Sequence, residues 1–365
     1  MKKFVVIGML TVLTLLSVNE KTEAVSESAV LSLMISPGAR AAGMGEAFVA
    51  LADDATATFW NPAGLAFQTG KEIHLMHVNW LPEFGDDLFY DFATYIHHFP
   101  NLGTFGLNVT YLNLGEQVHT DETGNELGTF SSNEYSIALT YGTQLNENWG
   151  VGLGMRYIRS NLAGGIQVGA EQGEGVANAF SFDISTLYKF PFAPRLSVGM
   201  NLSNMGPKIT YIDAAQADPL PTNLKVGLAY KIIDSEFNRL TVVGDLNHMM
   251  VNRKSDGTTD PFYKALFTSP WTYDEVVSED DEGNPVETKT RLKAILSAGL
   301  EYWYSNFFSL RAGYYSDKEG GEGTTYPSFG AGIQYHLYRF DFGYVAAPSG
   351  TPLANTMRFS LTIGF

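Results

Sequence analysis

The sequence predicts an all-β fold: a transmembrane antiparallel β-barrel of 14 strands with an amino-terminal plug in its lumen. Three observations lead there. First, Met357, Phe359, Leu361, Ile363 and Phe365 fall on one face of the last strand, and Arg358, Ser360, Thr362 and Gly364 on the other, because side chains alternate with period 2. A final strand that is greasy outward, small or polar inward and closed by an aromatic residue is expected to face lipid, with Phe359, Leu361, Ile363 and Phe365 as the barrel-assembly signal. Second, Lys2 and Lys3 precede an apolar stretch from Phe4 to Val18, and Thr22-Glu-Ala24 supplies small residues before a cleavage point. This pattern reads as a secretory signal. Third, no later run approaches the ~20 apolar residues of a spanning helix.

Taken in order, residues 1–24 are expected to be the signal peptide, 25–70 the plug and 71–365 the barrel. Within the plug, Gly38, Gly43 and Gly45 permit close backbone approach, and Asn61-Pro62 reads as a turn or helix start. An ordinary periplasmic extension is the bland alternative. The strands are expected at 71–80, 86–98, 103–114, 129–142, 148–161, 177–190, 195–205, 222–233, 238–252, 289–304, 307–317, 325–337, 339–346 and 354–365. Along them Phe105, Leu107 and Val109 alternate with Gly106 and Asn108, and Val151, Leu153 and Met155 with Gly152 and Gly154. Charges on the second face cannot point cheaply into lipid, so that face lines a polar interior. Short links such as Tyr304-Ser-Asn306 alternate with longer ones at 115–128, 162–176, 206–221 and 253–288. Short periplasmic turns and long external loops produce that pattern.

Composition agrees and excludes chemistry. Cysteine is absent, so neither disulfides nor thiolate metal sites arise. The formal net charge is −16; loss of residues 1–24 removes three lysines and two acids, leaving about −17, which argues against nucleic acid or anionic lipid as partner. His74 and His77 are three apart on a strand and so face opposite ways, and no His-Glu-x-x-His or Gly-x-Ser-x-Gly occurs. Gly150-Val-Gly-Leu-Gly154 has no following helix and reads as inward barrel glycines, not a phosphate loop. No catalytic residue, metal or cofactor is expected.

Arg40, Asp53 and Asp54 are expected to anchor the plug through charge-assisted bonds to wall residues such as Arg156, Lys293 or Glu301. Trp80, Trp303 and Tyr304 are placed in aromatic girdles. The acidic residues Asp274, Glu275, Glu279, Asp280, Asp281 and Glu282 of the 253–288 insert form a candidate partner-binding loop; their spacing matches no calcium loop.

The stretch Gly38–Phe67, with Asn61-Pro-Ala-Gly-Leu65, resembles the hatch of FadL-like barrels. Ala39-Arg-Ala-Ala-Gly-Met-Gly45, Trp60-Asn-Pro-Ala63 and Trp80-Leu-Pro82 resemble the PorV (LptO) family, within the PorV/PorQ group of the type IX secretion system. So do Arg156-Tyr-Ile-Arg-Ser160, Asn201-Leu-Ser-Asn-Met-Gly-Pro-Lys208 and Pro352–Ser360, in order along almost the whole mature chain. Arg40, Gly43, Gly45, Asp53, Asp54, Trp60, Asn61 and Pro62 are the plug residues carried by this resemblance or by the anchoring argument. Ala63-Gly-Leu65 is nearer FadL wording, and the acidic insert departs from the family pattern.

The resemblance implies a non-enzymatic protein of the bacterial outer membrane. It would dock on a giant barrel translocon of the SprA/Sov type and bind the carboxy-terminal domain of exported cargo. It would then pass cargo to an attachment complex containing a PorU-type transpeptidase. The alternative is a FadL-like transporter of hydrophobic small molecules, which calls for a greasy lumen and a lateral opening at a kinked strand.

Overall fold

The computed structural model describes residues 28–365 apart from 86, 121–122, 124, 165–174, 212–215, 255–256, 280–284 and 319–323. The expected signal peptide lies outside the described residues. Among the described residues sixteen strands follow the amino-terminal segment: β1 Lys71–Asn79, β2 Phe89–Phe99, β3 Gly103–Thr120, β4 Glu126–Asn146, β5 Trp149–Asn161, β6 Val176–Phe190, β7 Ala193–Met205 and β8 Asn223–Asp234 come first. They continue with β9 Asn238–Met249, β10 Thr272–Glu279, β11 Pro285–Leu292, β12 Ile295–Tyr304, β13 Phe308–Ser316, β14 Thr325–Tyr335, β15 Tyr338–Val345 and β16 Thr356–Gly364. All but β10 and β11 join one closed antiparallel barrel of 14 strands, in which neighbours in sequence are neighbours in space and β9 pairs with β12.

Closure joins the two ends of the barrel. β1 pairs with β16 from Glu72↔Gly364 to His77↔Phe359, and the backbones of Lys71 and Phe365 exchange hydrogen bonds of 2.9 and 2.8 Å. On β16, Arg358 and Thr362 are buried, while Met357 and Phe359 are exposed, as is Phe365 just beyond the strand, as alternation requires. Outward rings form two belts. Phe89–Tyr111, Tyr135–Tyr157 and Tyr157–Phe180 lie near the external ends, and Phe105–Tyr141, Trp149–Tyr188 and Tyr188–Phe190 near the short turns.

Three expectations need correction. The link 115–128 is mostly strand: after a shift between Asn113 and Glu116, β3 and β4 go on pairing as Glu116↔Ser131 to Thr120↔Glu126. This ribbon stands beyond the lipid, so no apolar alternation marks it. The tenth expected strand, 289–304, is two elements. β11 pairs with β10 in a separate two-stranded ribbon, and the barrel strand starts at Ile295. Between them Lys293 donates its amide to the Trp271 carbonyl (2.9 Å) and accepts from His248 Nδ1 (2.5 Å), which turns the chain. Finally, Trp303 leaves the girdle: its ring is 3% exposed and faces the lumen, under the guanidinium groups of Arg239 and Arg311. Trp80 packs on the buried cluster around Phe48 and Tyr90, and only Tyr304 of the three is exposed on the outer wall.

Candidate functional site

Residues 28–70 cross the lumen from one mouth to the other. At the outer end Ala29 donates to the Pro219 carbonyl at 3.0 Å, and at the periplasmic end Gly70 accepts from His98 at 2.9 Å. Only short helical turns form between, Leu31–Met34, Ala39–Ala42, Ala57–Trp60 and Pro62–Phe67. Small residues make that possible. Ala39, Ala41, Ala42, Ala47, Ala55, Ala57 and Ala63 are almost wholly buried, and they let the chain pack backbone to backbone against the wall.

Wall glycines supply the other half of this contact. A Cβ on Gly43 would lie 2.9 Å from Gly330 Cα, and one on Gly45, at φ +66°, would lie 2.6 Å from the Tyr314 backbone. From the wall side, a Cβ on Gly313 would collide with the Met44–Gly45 backbone, and one on Gly152 with Pro62 and Ala63. Gly150 and Gly152, in the run that superficially suggests a phosphate loop, are therefore seats for the plug.

Charge fixes the register of plug on wall. Arg40 meets Glu301 of β12 bidentately, Nε to Oε1 and Nη2 to Oε2, both at 2.7 Å. Its Nη1 donates to Asp54 Oδ2 at 2.9 Å and to Asp53 Oδ1 at 2.6 Å. Glu301 also accepts from Arg311 of β13 at 2.8 Å. Arg311 lies 2.8 Å from Asp341 of β15, Asp341 pairs with Arg339 at 2.9 Å, and Arg339 returns to Asp54 at 2.8 Å. Three guanidinium groups and three carboxylates thus form a closed ring, nearly all of it buried. Asp53 stands outside the ring, its side chain 52% exposed. In a medium of low dielectric such charges persist only when paired, and here each neutralises its neighbours.

Further bonds extend round the barrel. Arg358 of β16 donates to the Ser36 carbonyl (2.6 Å) and Glu46 (2.9 Å). Asp245 of β9 accepts the amides of Phe48 and Val49 at 2.6 and 2.9 Å. Trp60 sends its indole N–H to the Pro37 carbonyl and carries the Lys225 ammonium 4.5 Å over its ring. Asn61 donates to the Val49 carbonyl at 2.8 Å and caps the turn that begins at Pro62 by accepting from Ala63.

Of the wall partners expected for the plug acids and Arg40, Glu301 is one and the other two are not. Arg156 pairs with Asp183 at 3.3 Å and with Asn204, and Lys293 sits in the turn before β12. The partners missing from the sequence reading are Arg311, Arg339, Asp341, Arg358 and Asp245. Strand parity marks each of them as inward; what parity lacks is which inward charges share a level. Asp274, Glu275 and Glu279 lie on β10, while Asp280, Asp281 and Glu282 lie outside the described residues. His74 is buried and His77 faces out. Among the described residues no three His, Asp or Glu are grouped to hold a metal.

Known proteins resemble this arrangement at two levels. The family described as "Type IX secretion system protein PorV" matches residues 18–256. No curated protein sequence matches. Among solved structures, the toluene transporter TbuX of Ralstonia pickettii superposes with a TM-score of 0.56 at 12% identity, over 90% of this chain and 98% of that one. The toluene transporter TodX of P. putida gives 0.51 at 13% identity, over 90% and 99%. At such identities the likeness is one of fold.

Proposed function

Because the chain belongs to the PorV family of type IX secretion system proteins, and so resides in the bacterial outer membrane, we propose that it works there as a sealed, non-enzymatic docking barrel. In this reading its external loops meet the giant translocon and the carboxy-terminal domain of exported cargo. Cargo then passes to the attachment complex that holds the PorU-type transpeptidase. The closed ring of charges joining Arg40 and Asp54 to β12, β13 and β15 is the observation that carries this reading. It ties the plug to the wall through buried, mutually paired charges, which fits a filled lumen better than an apolar one. Arg40, Asp54, Trp60, Asn61 and Pro62 act here as structural anchors, with Gly43 and Gly45 giving the clearance.

The test is complementation of a strain lacking the protein. Deletion of 255–286 is expected to leave normal barrel levels in the outer membrane but to reduce surface-attached cargo. Normal cargo attachment, together with impaired uptake of a hydrocarbon by Arg40→Ala, favours the transporter instead. That second reading has one support, the shared fold with toluene transporters.

A further inference from the structure

The lipid-facing wall is not smooth. Where the barrel closes on itself, the strands from β13 through β16 to β1 and β2 border an open outer groove of about 700 Å³, inside the ~300–1,000 Å³ range of ligand sites. Ala93 and Ala331 leave room at its floor, and Leu75, Phe340, Phe342 and Phe359 flank them. It runs from Phe308, beside a periplasmic turn, to His77 and Asp91 toward the external ends of β1 and β2.

Those two residues are its outward polar side chains. They are register partners, their side chains are 62% and 45% exposed, and His77 Nδ1 lies 2.7 Å from Asp91 Oδ1. A carboxylate only accepts, so Nδ1 is the donor. The second Asp91 oxygen is left as an acceptor on the exposed side. Polar groups on the lipid face are costly unless satisfied. A long apolar groove with a carboxylate acceptor at one end has the polarity of an amphiphile.

We propose that this groove seats one membrane lipid, its acyl chains over Ala93 and Ala331 and its head group donating to the Asp91 carboxylate beside His77. The head group is of the donor class, an ammonium with N–H groups or a hydroxyl; a quaternary ammonium has no hydrogen to offer. The inference requires only that the barrel stands in a bilayer, and is independent of what the loops bind.

The test uses the full mature barrel in nanodiscs of equal phosphatidylethanolamine and phosphatidylcholine, extracted into mild detergent and examined by native mass spectrometry. The expected result is one retained lipid per barrel, with phosphatidylethanolamine favoured about tenfold, the worth of one net charge-assisted hydrogen bond. The preference should vanish in His77→Leu/Asp91→Leu. Retention should vanish in Ala331→Phe and persist in Met155→Phe, a control on the outer face of β5. Heat-modifiable migration checks that each variant is folded. Equal retention of both lipids by the wild type, or unchanged retention in Ala331→Phe, would overturn the proposal, since either describes general annular lipid.

Discussion

Among the described residues Arg40 alone bridges two plug carboxylates and a wall carboxylate, so it carries more of the plug than any other. Arg40→Ala leaves Glu301 and Asp54 each one partner short in a buried setting, and removal of one partner from such pairs costs roughly 3–5 kcal/mol. The purified variant is therefore expected to lose heat stability and to show ion conductance in planar bilayers that the wild type lacks. A silent, equally stable variant would show that the ring does not hold the seal. Gly313→Ala tests the steric half. Its new methyl meets the backbone of Met44 and Gly45, where nothing flexible can yield, so a loss of ~1–3 kcal/mol is expected, read as a lower melting temperature. At this scale the sequence showed which groups needed partners. Arg40, Asp54 and Glu301 were legible as plug and inward-wall charges in need of partners. Arg311, Arg339 and Asp341 were not, because their meeting depends on the stagger between strands and only alternation is visible in one chain.

The strands were the most legible elements, since lipid on one side and plug on the other impose a sharp alternation. Legibility failed where that contrast ends. Above the membrane both faces of the β3–β4 ribbon meet water, and the 253–288 insert follows local rules. There the helix Phe262–Thr268 is tied down by Asp260, which accepts from Thr268 Oγ1 at 2.8 Å and Asn252 Nδ2 at 3.0 Å, with Lys254 and Lys264 both 3.1 Å away. The Thr268 and Lys264 bonds, supported by Lys254 and Asn252, hold the Asp260 carboxyl well below the usual carboxylate range. A depressed folded-state value stabilises the loop fully above the unfolded value of about 4, and that contribution fades as pH falls beneath it. Cleavage of this loop on intact cells should thus stay constant from neutral pH to about 5 and rise only in stronger acid. Asp260→Asn should be cut readily at neutral pH. At the seam, Phe365→Ala keeps the backbone pairing with Lys71 but removes the outward ring, and less barrel is expected in the outer-membrane fraction. Unchanged yield would rule out Phe365 as part of an assembly signal.

As a whole, the molecule divides its work by direction: apolar outward, small and charged inward, acidic at the external loops. In the proposed docking role, with residues 28–70 packed inside the wall, partners act at the external face. That division was readable early, because period-2 alternation, a plug of small residues and long loops alternating with short turns are all properties of the chain. The identity of the partners was not, since it came from resemblance and not from any residue's chemistry. Affinity purification of the tagged protein from gently solubilised native membranes, read by mass spectrometry, tests the docking role most directly. Recovery of a giant barrel translocon, a PorU-type protease or cargo sharing one carboxy-terminal domain is the predicted result. Recovery of the barrel alone, with fatty acid or hydrocarbon in its lumen, would contradict it.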